Sequence, residues 1–240
     1  MNDGSFLSFA RGYCLSCRER LQTSWTYHNL FTLFTWRAEP LCETCTGQLP
    51  VITGAACPEC SAPGHIDACS DCLRWRRRTK TGGWVKNVSL LHYDEWMQAW
   101  TTRWKFRGDA VMGAAFYHSL RRAYRKHFRG FVPVPIPITP ERMAERRFNQ
   151  AEVLAAGLQV PYASALELPN GEGGKQSKQT KRERMHTVRG FTVSAPDKII
   201  GRNVLIIDDI YTTGATVREA ATVLEAAGAG STASLTLIRA

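Results

Sequence analysis

The chain has 240 residues, 44% of them hydrophobic and 22% charged, and a formal net charge of +10. These are the proportions of a globular protein of one large or two modest domains. Met1 to Ala10 lacks the basic start and apolar run of a secretion signal, and no window approaches the ~18 uninterrupted apolar residues of a membrane span. A cytoplasmic home is the expectation, with partners recruiting the protein to the inner face of the membrane.

All eight cysteines fall in the first third of the chain, as four CxxC pairs: Cys14/Cys17, Cys42/Cys45, Cys57/Cys60 and Cys69/Cys72. A tetrahedral Zn²⁺ takes two such pairs, each giving two thiolates at about 2.3 Å from a tight turn. Four pairs therefore predict two zinc sites, and four protein ligands at each leave no open position, so the metal is structural. Taken as neighbours, Cys14, Cys17, Cys42 and Cys45 form one site and Cys57, Cys60, Cys69 and Cys72 the other; an interleaved cross-brace is the alternative. Disulfides fit poorly with a chain lacking a secretion signal, and a redox pair needs one CxxC. In so short a stretch metal binding is expected to supply much of the folding free energy. The net charge stays positive even with every cysteine a zinc-bound thiolate, which points to polyanionic partners, nucleic acid foremost, and says nothing of fold.

Between Cys17 and Cys42 lie Trp25, Tyr27, Phe31, Phe34 and Trp36. A small core is the expectation here, with a base-stacking surface as the alternative. After the last pair comes Arg74-Trp75-Arg76-Arg77-Arg78-Thr79-Lys80, either a solvated linker or a phosphate-contacting patch. Gly82-Gly83 reads as a boundary, giving a double zinc-binding domain over residues 1–81 and a second domain over 82–240.

In the second domain, Val88 to Tyr93 reads as a strand. From Asp94 a helix is expected, with Trp96, Trp100 and Trp104 spaced by four on one face, the pattern of core or domain interface. Lys105-Phe106-Arg107-Gly108-Asp109 leads into a helix through Val111, Ala115, His118 and Tyr124. Its polar side carries Arg121, Arg122, Arg125 and Lys126, with Arg129 just beyond. Such a run is a solvated helix face or, with Arg103, Lys105 and Arg107, one nucleic-acid surface. The candidate nucleic-acid contacts are Arg76, Arg77, Lys105, Arg107, Arg121, Arg122 and Arg125. The apolar strand at Phe131 is expected to stop near Pro133, because proline cannot donate to a ladder. One helix should then run from Glu141 past Arg142, Arg146, Arg147, Phe148, Asn149 and Gln150 to Val153, Leu154 and Leu158. After a short strand near Ala165 to Leu168, Pro169-Asn170-Gly171-Glu172-Gly173-Gly174 must be a loop. It leads to Lys175, Lys178, Lys181, Arg182, Arg184 and Arg189, either a basic lid suited to pyrophosphate or a plain surface loop.

The most informative stretch is Val204-Leu205-Ile206-Ile207-Asp208-Asp209-Ile210-Tyr211-Thr212-Thr213-Gly214-Ala215-Thr216. Apolar residues, an acidic pair and a Thr/Gly turn before a helix-forming run from Val217 to Ala227 describe a buried strand, a loop and a helix start. Backbone N–H groups at a helix start lack intrahelical partners and sit at the positive end of its dipole, so they bind phosphate well. Asp208 and Asp209 stand at a strand's carboxyl end, where they can accept hydrogen bonds from two vicinal hydroxyls. A phosphate beside a diol is a ribose 5-phosphate. With a last strand over Ala233 to Ile238, strands and helices alternate. That predicts an α/β fold, a mainly parallel sheet flanked by helices.

The stretch resembles the signature of type I phosphoribosyltransferases, in which the acidic pair holds the ribose hydroxyls of phosphoribosyl pyrophosphate (PRPP) and the loop its 5-phosphate. The whole chain resembles the competence ComF family, close to its ComFC type and also called GntX-like. The resemblance rests on the CxxC pairs, Tyr93-Asp94 ahead of Lys105-Phe106-Arg107-Gly108, Val132-Pro133-Val134-Pro135, Arg146-Arg147-Phe148-Asn149-Gln150, and Lys178-Gln179-Thr180 with Arg182 and Arg184. It implies zinc ribbons fused to a phosphoribosyltransferase domain, and a role in natural transformation handling incoming single-stranded DNA beside a helicase partner. It also implies Mg²⁺ with PRPP at Asp208, Asp209, Thr212, Thr213, Gly214, Ala215 and Thr216, with Lys178 or Lys181 on the pyrophosphate. The family usually has glycine where this chain has Arg147, and a positive φ there would strain arginine. Two functions follow as expectations: a DNA-handling factor with a PRPP-binding domain, or a Mg²⁺-dependent enzyme transferring ribose 5-phosphate to an acceptor such as a nucleobase.

Overall fold

The computed structural model describes residues 12–21, 40–78, 85–106, 109–169 and 190–240. In chain order the helices and strands are α1 (Glu43–Gly47), α2 (Ser70–Arg78), β1 (Lys86–His92), α3 (Glu95–Phe106), a 3₁₀ segment (Ala110–Phe116), α4 (Tyr117–His127) and β2 (Val132–Pro135). They continue with α5 (Pro140–Arg146), α6 (Gln150–Gly157), β3 (Leu166–Glu167), β4 (Thr192–Val193), β5 (Asn203–Tyr211), α7 (Ala215–Ala226) and β6 (Ser231–Arg239). The strands β1-β6-β5-β2 form one all-parallel sheet in that order, and β3 pairs with β4 in a small antiparallel ribbon. Among the described residues no helix is long and apolar enough to cross a membrane.

A parallel sheet covered on both faces needs largely apolar strands; β5 has the apolar run over residues 204–207, and in β6 the buried Leu235, Leu237 and Ile238 are interspersed with Ser234 and Thr236, which are hydrogen-bonded. Along β5 alternate side chains enter two different cores. Leu205 and Ile207 pack with Trp100, Trp104, Phe116 and Leu154, whereas Val204 and Ile206 pack with Val134, Val217 and Leu224. The tryptophan stripe is core, as its spacing suggests: Trp100 and Trp104 are buried. Its third member, Trp96, stacks on Trp100 at 5.1 Å and donates to Gln48 Oε1 at 3.2 Å, joining α3 to the cysteine-rich segment.

That segment is docked on the sheet. Residues 50–52 run along the free edge of β1, where Ile52 N–H donates to Leu90 O at 3.0 Å and His92 N–H to Pro50 O at 2.9 Å. Asn87 at the start of β1 is buried and fully used. It donates through Nδ2 to Cys60 O at 3.3 Å and accepts at Oδ1 from Ser234 at 2.9 Å and Thr236 at 3.2 Å.

The structure corrects the chain reading at three places. The strand does not stop at Pro133, since β2 pairs with β5 through Pro135. In β2 the inward N–H groups belong to the alternate residues: Ile136 N–H donates to Ile207 O at 2.9 Å, while Pro133 O faces outward and accepts from Ala163 N–H at 2.9 Å. Both prolines thus put their missing donor on the outer edge, where no ladder partner is lost. The single helix expected from Glu141 is two. Thr139 caps α5, which ends at Arg147 in the left-handed region (φ 66°), and Asn149 caps α6 by accepting from Ala151 N–H. Asn149 Nδ2 also donates to Ile136 O at 2.9 Å, fixing the new helix to the end of β2. Arg147 thus occupies a positive-φ backbone conformation in which glycine would be unstrained. The helix expected from Val111 likewise opens with a 3₁₀ segment before α4.

Candidate functional site

The carboxyl end of β5 and the start of α7 form the loop the sequence predicts. Gly214 has φ 78° and ψ 7°, and a Cβ there would lie 2.1 Å from Tyr211 Oη, so conformation and space both demand glycine. Ala215 N–H donates to Thr213 Oγ1 at 3.3 Å, and α7 starts at that residue. Thr213 is buried, while Thr212 and Thr216 are partly exposed. The loop therefore presents hydroxyls and backbone donors at the positive end of a twelve-residue helix.

The acidic pair stands beside it at the end of the same strand. Asp208 Oδ1 accepts from Asp209 N–H at 2.9 Å. Lys105 Nζ, at the end of α3, lies 2.5 Å from Asp209 Oδ2, with side chains only 17% and 15% exposed. Burial pushes the Asp209 carboxyl up, but Lys105 and then Arg146 outweigh it and hold the group below the usual carboxylate range. Arg146, from α5, donates to Gln150 Oε1 at 3.0 Å. The carboxylates are thus flanked by cations from two different helices, one of which, Lys105, was expected on a nucleic-acid surface.

The cysteines fall into the two neighbouring groups, and the interleaved pairing is excluded: Cys14, Cys17, Cys42 and Cys45 in one, Cys57, Cys60, Cys69 and Cys72 in the other, with all ligand atoms of a group within 4.8 Å of one another. Sulfur separations are 3.7 Å for Cys17–Cys42, 3.9 Å for Cys57–Cys72 and 3.5 Å for Cys60–Cys69. Four sulfurs at about 2.3 Å from one Zn²⁺ define a tetrahedron of edge about 3.8 Å, so both donor sets fit that ion. In the second group a hydrogen bond from Cys72 draws the Cys60 thiol down to about 5, against burial and with help from Arg239.

Each group is tied to a different side of the site. Arg103, on α3 two residues before Lys105, donates to Ser16 O at 2.9 Å and Leu15 O at 3.3 Å in the first group's turn. Arg239, buried at the end of β6, donates to Cys60 Sγ at 3.7 Å and to the loop carbonyls of Thr212 at 2.9 Å and Tyr211 at 3.3 Å. Trp75 of α2 donates from Nε1 to Thr213 O at 2.7 Å, with the guanidinium carbons of Arg218 and Arg78 at 5.1 and 5.4 Å from its ring centre. Sequence reading did not single out Arg239. One cation ending an apolar strand carries no motif, and its partners are distant in the chain.

The other basic candidates disperse. Arg76 pairs with the buried Glu59, and Arg121 donates to Tyr117 O at 3.0 Å and Gln159 Oε1 at 2.5 Å. Arg77 is exposed on α2, and Arg122, Arg125 and Lys126 are exposed on α4, followed by Arg129. Arg107, the lid candidates Lys178 and Lys181, the Gly82-Gly83 boundary and the aromatic segment from Trp25 to Trp36 lie outside the described residues.

Comparison with known proteins agrees with this geometry. The phosphoribosyl transferase domain family matches residues 148–240, which include the acidic pair and the loop. The chain is 39% identical over 231 residues to competence protein ComFC of Bacillus subtilis, covering 94% of each. It is 31% identical over 226 residues to ComFC of Streptococcus pneumoniae, covering 94% of this chain and 99% of that one. It is also 26% identical over 218 residues to competence protein F of Haemophilus influenzae, covering 78% and 91% respectively. Such identity, held across 94% of the chain, shows that the chain belongs to the ComFC family of competence proteins, with a phosphoribosyltransferase domain following cysteine clusters that fit zinc ribbons.

Proposed function

We propose that the protein handles single-stranded DNA during natural transformation, using its phosphoribosyltransferase domain to bind PRPP or a related phosphoribosyl compound. The observation that carries the ligand class is the pairing of two carboxylates at the end of β5 with a threonine-rich loop at the start of α7. Asp208 and Asp209 take the ribose hydroxyls, and residues 212–216 take the 5-phosphate. Mg²⁺ bound with PRPP would be held near Asp208 and Asp209 and would supply charge neutralisation for the pyrophosphate. Lys105 and Arg146, with Lys178 or Lys181 of the lid segment, supply positive charge on the pyrophosphate side. Zn²⁺ in each cysteine cluster is structural, and residues 1–81 and 82–240 are the two domains.

Single-stranded DNA binds through phosphate contacts and stacking, with strong salt dependence. The exposed Arg122 and Arg125 on α4 and Arg77 on α2 are the contacts this reading favours, in a cytoplasmic protein acting beside a helicase at the inner face of the membrane. The test is fluorescence anisotropy of a labelled single-stranded oligonucleotide titrated with zinc-loaded protein over a salt series, with and without Mg²⁺ and PRPP. Tight binding that weakens steeply with salt is expected, and no binding at low salt rejects the DNA reading. Asp208→Asn with Asp209→Asn should abolish PRPP binding and leave DNA affinity nearly unchanged; equal loss of both in the folded double variant contradicts separate sites.

The domain match over residues 148–240 favours a second reading, an active phosphoribosyltransferase. Loss of pyrophosphate from C1 passes through an oxocarbenium-like state that needs charge complementarity and no protein nucleophile. Pyrophosphate release from PRPP with a panel of nucleobases distinguishes the two.

A further inference from the structure

The loop's carbonyls are not free to turn. Tyr211 O and Thr212 O accept from Arg239, and Thr213 O accepts from Trp75. All three carbonyls are therefore anchored: Tyr211 O also accepts from Ala240 N–H at 2.9 Å, and Thr212 O and Thr213 O are held by side chains that belong to or touch the second cysteine cluster. Trp75 lies three residues after Cys72 on α2, and Arg239 also donates to Cys60 Sγ. No cis peptide interrupts this run. In a trans peptide plane the C=O of one residue and the N–H of the next point in opposite directions. Anchoring the carbonyls of residues 211, 212 and 213 thus aims the N–H groups of Thr212, Thr213 and Gly214 the other way, as an anion site requires. A carbonyl swung into that site would repel a phosphate.

We propose that Arg239 and Trp75 are positioning residues that couple the Cys57, Cys60, Cys69, Cys72 cluster to the phosphate loop, so that metal retention there and phosphoribosyl binding reinforce one another. This rests on the reading of residues 212–216 as a phosphate site. The buried Arg239 guanidinium needs a negative partner, and a four-thiolate zinc centre carries a net −2 charge. When the metal leaves, the sulfur cage that holds Arg239 and the adjoining α2 loses its centre, and the carbonyls of Thr212 and Thr213 lose their anchors. Linkage makes the effect reciprocal, so a ligand that needs the anchored loop must slow the loss of metal.

The test uses the full-length zinc-loaded protein with ribose 5-phosphate as probe. Calorimetry gives its affinity, and a metallochromic chelator follows zinc release. In a Cys17→Ser background, which leaves zinc in the second cluster, ribose 5-phosphate at ten times its Kd should slow release about tenfold. Trp75→Phe keeps the ring and removes the donor; alone it should weaken ribose 5-phosphate about fivefold, the worth of one net hydrogen bond, with two zincs per chain retained, and in the Cys17→Ser background it should shrink the protection. Arg239→Lys, which keeps the charge and loses the fork, should do the same. Binding to the parent protein without any slowing of zinc release overturns the coupling and leaves the phosphoribosyl site intact. Unchanged affinity in the folded Trp75→Phe protein also overturns it. If ribose 5-phosphate does not bind the parent protein at all, both the coupling and the reading of the loop are wrong.

Discussion

The two cysteine clusters have the same four ligands and do different things. In the first, Cys17 is exposed and Cys42 half-buried, and its ties run through Arg103 to α3, the helix that carries Lys105 to Asp209. In the second all four cysteines are buried in the core that includes Val134, Ile206 and Val217, and its ties run through Arg239 and Trp75 to the loop after β5. One cluster backs the carboxylate side of the site and the other the threonine-loop side. The same metal-binding pattern thus serves once as an outer brace and once as part of the core, and burial decides which.

Removing one ligand from each cluster separates these roles most sharply. A structural zinc is worth on the order of 10 kcal/mol of folding free energy, and in the second cluster that energy is shared with the sheet. Cys60→Ser should therefore lower the melting temperature drastically and eliminate ribose 5-phosphate binding. Cys17→Ser should also lose one zinc but leave the affinity within about twofold, because its cluster reaches the site only through α3. Zinc content, thermal melts and calorimetry on the two variants check this; equal loss of binding in both would erase the distinction.

The next largest effect is on the carboxylate side. Lys105→Met leaves Asp209 buried without its nearest counter-charge, a change that costs about 3–5 kcal/mol in buried pairs. The same pair sets a pH dependence. Asp209 has a lower pKa folded than unfolded, so the stability it contributes is complete above the ordinary carboxylate value and is lost as pH falls through the folded value. Urea midpoints measured downward from pH 5 should fall less for Asp209→Asn than for the parent protein. A parallel decline in both would show that other carboxylates set the acid limb.

These sites differ in how far the chain alone discloses them. The strand, acidic pair and loop over residues 204–216 were legible because the whole device is local: apolar run, carboxylates, a glycine for φ 78° and a helix start lie within thirteen positions. The cysteine pairing was legible for a related reason, since neighbours in sequence are neighbours in space. Lys105 was read as a surface cation, because nothing in its surroundings announces a partner 104 positions away. Arg239 and Cys60 are further apart still. Pro133 was misread for want of one fact the sequence does not hold, that β2 is an edge strand whose prolines face outward. The cysteine pairs announce themselves by chemistry; the residues that tie them to the loop are placed by topology.

The smallest effect tests the wall between the two sides. Arg146 stands beside the acidic pair because α5 stops immediately after it, and the stop is made by Arg147 at φ 66° and ψ 3°. Non-glycine residues pay about 1–2 kcal/mol in this conformation, partly offset in Arg147→Gly by the greater freedom that glycine has in the unfolded chain. The substitution should therefore stabilise the protein by about 0.5–1 kcal/mol, a rise of about 1–4 °C in melting temperature for a chain of this size. The exposed Arg147 side chain is not the source of the turn; its backbone is. Ribose 5-phosphate affinity should accordingly stay unchanged, with Arg146 still against Gln150. A stabilised variant with weakened binding would mean instead that the Arg147 side chain itself contributes to the site, as a third cation beside Lys105 and Arg146.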